Sequence, residues 1–154
     1  MSNSADVLWR LNNEYRKRLA MAQTYLDLLD QLVLMQNGEQ QAHTLAALRY
    51  ARECVEAMTE AHRQWRQRFY YESDDSKRMV QEGRAINQAL ARFVQMRTQQ
   101  EHYLIELDAT LNTIPRPDPK ITRVPNGDLW LLTQSAIHNL VGFEDYLSDM
   151  TRVN

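Results

Sequence analysis

The sequence predicts an all-α domain: an antiparallel helical bundle of about four helices, with a long helical hairpin and a Pro-rich crossover before the last helix. Three observations carry this. Apolar residues recur in steps of three and four over long stretches. Only four glycines and four prolines occur, and all four prolines lie between Pro115 and Pro125. Ala, Leu, Gln, Glu and Arg, all strong helix formers, dominate elsewhere. A chain of 154 residues fits a single helical domain, 1–154, that can bury a core without disulfides or metals.

The first helix is expected over about 5–36, where Leu8, Leu11, Tyr15, Leu19, Ala22, Leu26, Leu29 and Val33 form one apolar stripe. Asn37-Gly38 follows, and glycine reverses the chain at no steric cost. The second helix, about 39–71, repeats the spacing with Leu45, Leu48, Ala51, Val55, Met58, His62, Trp65 and Phe69. A short turn between two such helices predicts an antiparallel hairpin with arms on the order of 45–50 Å.

The next boundary rests only on Ser73 or Asp74 as an N-cap, with acidic residues suited to the positive end of a new helix. A turn there gives a compact bundle; a helix continuing through it gives an elongated, oligomeric molecule. The third helix is expected over about 75–113, striped by Met79, Ile86, Leu90, Phe93, Met96, Tyr103, Leu107, Leu111 and Ile114, with Gly83 tolerated near its start. Residues 114–127 carry alternating prolines that disfavour helix and predict an extended connection. Asp128 then caps a last helix, about 129–152, through Leu129, Leu132, Ala136, Leu140, Phe143, Leu147 and Met150.

Much chemistry is excluded by residue pattern. None of His43, His62, His102 and His138 has a Glu three residues before it, so the paired Glu-x-x-His pattern of a di-metal bundle is missing. One cysteine and no close His pair leave no zinc spacing. The glycines form no phosphate loop, and there is no nucleophile elbow. No catalytic, metal-binding or cofactor-binding residue is therefore assigned, and the chain is expected not to be an enzyme. His62, on the apolar stripe, reads as a core histidine satisfied by one hydrogen bond rather than as a general base. Glu53, Glu56 and Glu60 share a face that reads equally as a solvated acidic surface or an acid/base site.

Ala42-His43-Thr44-Leu45 resembles the phosphoacceptor region of histidine phosphotransfer domains, which are also helical bundles. Ala46 and Ala47 stand where that family carries Lys and Gly, so the resemblance ends after four residues and implies no phosphotransfer. The long helices, rich in Met and Gln, resemble small export chaperones of bacterial secretion systems, a likeness of general character that implies a binding role.

A lone Cys54, no apolar leader and no run of about 18 apolar residues predict a soluble, cytoplasmic protein without a membrane span. Two surfaces stand out as partner-binding candidates. Closing the hairpin gathers Arg16, Lys17, Arg18, Arg63, Arg66 and Arg68 at one end with Trp65, Tyr70 and Tyr71, a basic and aromatic set that suits single-stranded nucleic acid. Acidic residues in the same region cancel most of that charge, and the net charge of the chain is −2. The second surface is the crossover, with Pro117, Pro119 and Trp130, where a partner could read extended backbone or residues 120–124 could add a strand to a partner's sheet. The expectation is a helical protein-protein interaction module, an adaptor, assembly factor or small chaperone, gripping another helical protein or a second copy of itself. Contact with nucleic acid through the basic end is the alternative.

Overall fold

The computed structural model describes residues 4–70 and 83–152. Helix α1, Ser4–Val33, is a single helix of 30 residues. Its predicted stripe is buried without exception, from Leu8 to Val33. After Val33 the chain tightens into bonds from the amides of Leu34, Met35 and Gln36 to the carbonyls three residues back. Gly38 then reverses the chain with φ +67°, a left-handed conformation that L side chains rarely adopt.

Helix α2, Gly38–Phe69, returns antiparallel to α1 and buries Leu48, Ala51, Val55, Met58, His62 and Trp65. Arg52 of α2 reaches Asp27 and Asp30 of α1 at 3.6 and 3.5 Å, fastening the turn half of the hairpin. Residues 71–82, and with them the junction at Ser73 and Asp74, lie outside the described residues.

The third predicted helix is two helices. Helix α3, Gly83–Gln99, is followed at once by α4, Glu101–Asn112. Gln100 separates them with φ −90° and ψ 1°, and its amide bonds back to Arg97 O in a tight i to i−3 turn. Together they run antiparallel to α2, as the bonds from Trp65 to Ala89 at one end and from Tyr50 to Glu106 further along require.

The crossover is not extended throughout. Asp118 caps a single helical turn, α5, Pro119–Thr122, by accepting the Lys120 amide at 3.0 Å. Strands β1, Arg123–Val124, and β2, Gly127–Asp128, then pair antiparallel across a tight turn in which Gly127 carries φ +135°. Proline at the first helical position explains α5: the ring fixes φ for a helix and no amide bond is lost.

Asp128 caps α6, Leu129–Val141, by accepting the Trp130 amide at 2.9 Å. The last predicted helix also breaks, at Gly142, after which α7 spans Phe143–Thr151. A Cβ at Gly142 would lie 3.2 Å from His138 O, so the glycine lets the chain bend closely over the end of α6.

The result is an up-down-up-down bundle in which α1 packs mainly against α2 and α6. Its core holds Tyr15, Phe93 and Phe143 at one end and Leu26, Leu29, Leu48 and Leu107 further along. Each such side chain contributes about 1.5–3 kcal/mol on burial, which makes the apolar stripes the main source of stability.

Candidate interaction surfaces

The predicted basic end exists, but Trp65, one of its three aromatic residues, is in the core. Trp65 is buried and donates from Nε1 to Ala89 O at 3.0 Å, stitching α2 to α3. Tyr70 stacks on it with ring centroids 5.7 Å apart and planes 11° from parallel. Trp65, buried and stacked by Tyr70, offers no open platform for a base. Tyr71 lies outside the described residues.

The cations are largely engaged. Arg63 pairs with Glu60, its Nε donating at 2.8 Å. Arg68 lies over the Phe69 ring at 5.2 Å. Arg18 donates to Glu14 at 3.0 Å and to Asn139 O at 2.6 Å, and lies over Phe143 and Tyr146. Arg66 is half-buried beside His62, while Arg16 and Lys17 are exposed. Helix α7 brings Glu144, Asp145 and Asp149 to this same end. A shallow groove of about 400 Å³ between α2 and α3 is lined by Gln64, Arg68, Arg92 and Gln95 among others; there Arg92 donates to Gln95 at 2.8 Å.

His62 is the core histidine the stripe implies. Its Nε2 lies 2.9 Å from Asn12 Oδ1 across the hairpin. It stacks on Trp65 and meets Tyr15 and Phe93 edge to face. Burial first, then the nearby Arg66 and Arg16, push its pKa down to about 3. The ring is therefore neutral at pH 7, and Nε2–H donates to Asn12. Glu53, Glu56 and Glu60 are exposed, and the Arg63 hydrogen bond holds Glu60 below the usual carboxylate range. His43 is exposed, its Nε2 3.4 Å from Thr113 O. Among the described residues no group of His, Cys, Asp or Glu is arranged to hold a metal ion.

The crossover candidates divide. Pro117 and Trp130 are buried, and only Pro119 is exposed. Arg116 ties the segment down by donating to Asp128 Oδ2 at 2.6 Å, so one carboxylate both caps α6 and clamps the crossover. Of residues 120–124, the first three are helical, and Arg123–Val124 already pairs with Gly127–Asp128.

Two features escape the sequence reading. The first is a polar cluster at the α3–α4 break. Tyr15 donates its hydroxyl to Gln100 Oε1, and Gln100 Nε2 donates to Met58 O at 3.3 Å. Beside it, Arg97 is buried at 1% exposure and binds Glu101 at 3.0 Å and Glu144 at 3.4 Å. Six consecutive polar residues, Arg97 to His102, are the available signal.

The second is a row of apolar residues on the outside of α1 and the turn that continues it. Met21, Tyr25, Leu28, Leu32 and Met35 follow one another in steps of four, three, four and three. This is the spacing of a coiled-coil seam, lying one residue off the buried seam and so about 100° around the helix. Met21, Leu28 and Met35 are 38, 43 and 68% exposed, while Tyr25 and Leu32 are half-buried against the core.

No protein-family model, curated protein or solved structure matches the chain. Among the described residues, no helix is long and apolar enough to cross a membrane.

Proposed function

We propose that this protein is a non-enzymatic, cytoplasmic helical interaction module, of the adaptor, assembly-factor or small-chaperone kind, whose docking face is the outer seam of α1. The observation that carries the reading is the spacing of Met21, Tyr25, Leu28, Leu32 and Met35. Scattered surface apolar residues are ordinary, but apolar residues repeating every three and four positions form the groove-filling row that a second amphipathic helix needs. Two methionines in the row suit such docking, because an unbranched thioether side chain adapts to the surface it meets.

The basic end supports nucleic-acid binding less well, since Trp65 and Tyr70 stack on each other and Arg63 and Arg18 are ion-paired. A role there would need raised absorbance at 260 nm in the purified protein, lost with salt.

The test is site-specific photo-cross-linking in the native host. A benzophenone side chain at position 28 is expected to capture a polypeptide that the same group at position 56, on the exposed acidic face of α2, does not. Equal or absent capture at both positions would refute the docking face.

A further inference from the structure

We infer that the occupant of the α1 seam is a second copy of the same seam, lying antiparallel with the two-fold axis near Leu28. This inference rests on the docking reading above and names its partner. A two-fold interface brings one patch against itself, so the patch must be complementary to its own reversal. The seam meets that condition: methionine stands at both ends, seven residues either side of Leu28, with Tyr25 and Leu32 between. In the antiparallel pair Met21 of one copy meets Met35 of the other, and Tyr25 and Leu28 lie against Leu28 and Leu32.

Charge agrees. From Ala20 to Gln36 the only carboxylates are Asp27 and Asp30, both turned away from the seam to Arg52, and no Lys or Arg occurs. A seam without charged flanks lacks the usual device for choosing a foreign partner over itself, and two copies meet there without repulsion. Lys17, one turn before Met21, then faces the turn end of the other copy, where Glu39 stands in the first turn of α2.

The patch also sets the strength. Met21, Leu28 and Met35 together leave on the order of 300 Å² of side chain in water, well under the roughly 800 Å² that each partner buries in a standard interface. The dimer is weak and reversible, formed in the micromolar range or above.

Cysteine cross-linking tests the pairing, with buried Cys54 as a silent background. The full chain is prepared as Met21→Cys, Met35→Cys and Leu28→Cys, all at exposed positions, with helix content checked by circular dichroism. With a short bismaleimide at a few hundred micromolar protein, Leu28→Cys is expected to cross-link with itself. Met21→Cys is expected to cross-link with Met35→Cys in a mixture but not alone, since its two copies would stand about 21 Å apart along the axis. Self-cross-linking of Met21→Cys would overturn the antiparallel pairing, and no cross-linking in any mixture would overturn the dimer. If position 28 captures a different protein while these mixtures stay uncross-linked, the docking face stands and the second copy is excluded. If neither reacts, both fall.

Discussion

At the scale of residues, buried His62 makes stability depend on pH, and buried Arg97 makes it depend on which member of an ion cluster is removed. His62 is neutral when folded, with a pKa of about 3, and regains an ordinary value near 6.5 when the chain unfolds. The unfolded chain therefore binds the extra proton. The contribution is fully present above about pH 6.5 and is lost as pH falls from there towards 3, at about 1.4 kcal/mol per pH unit. Urea unfolding at pH 6 and pH 4, both inside this window, should show a loss approaching this slope in the native chain and a smaller one in His62→Gln. Arg97 behaves differently because its partners are half in water, Glu101 at 58% and Glu144 at 60% exposure. Arg97→Leu frees both carboxylates to rehydrate and is expected to cost no more than about 2 kcal/mol. Removing Glu101 and Glu144 together strands a buried guanidinium and is expected to cost about 3 kcal/mol or more, read from the shift in denaturation midpoint.

At the scale of elements, the breaks at Gly38 and at the proline run are legible in the sequence, and the breaks at Gln100 and Gly142 are not. Gly38 announces the hairpin, and Gly38→Ala should destabilise by about 1 kcal/mol because of its φ of +67° rather than any clash, since the space around it is open. The proline run announces the crossover, but not that Pro119 opens a helical turn. The α3–α4 break is hidden because Gln100 occupies a stripe position, where helix propensity favours continuation. What bends the chain is tertiary: the Gln100 side chain is taken by Tyr15 and Met58 O. A double-mutant cycle checks this. Tyr15→Phe and Gln100→Leu each leave a buried polar atom unpaired and should each cost about 1–3 kcal/mol, while the double variant should cost less than their sum. Gly142 draws no attention in the sequence because one glycine in a helical pattern is usually tolerated; the close approach of His138 O gives it its role.

For the whole molecule, periodicity reveals which faces are apolar but not which apolar face meets which neighbour. Trp130, a surface candidate of the crossover, is a core residue, and Trp65 is buried as its place on the apolar stripe of α2 implies, which leaves it out of the surface at the basic end. On α1 the two seams are one residue apart and both carry heptad spacing. Only packing against α2 and α6 distinguishes them: Ala22, Leu26, Leu29 and Val33 face inward, while Met21, Leu28 and Met35 remain outside. The docking role of that outer seam is tested most directly by its period. A benzophenone scan through positions 20–35 of the full chain in the native host should give cross-link yields that peak at 21, 25, 28, 32 and 35 and fall at 20, 27 and 31. Yields that are flat along α1, or that peak at 20 and 27, would contradict the docking face.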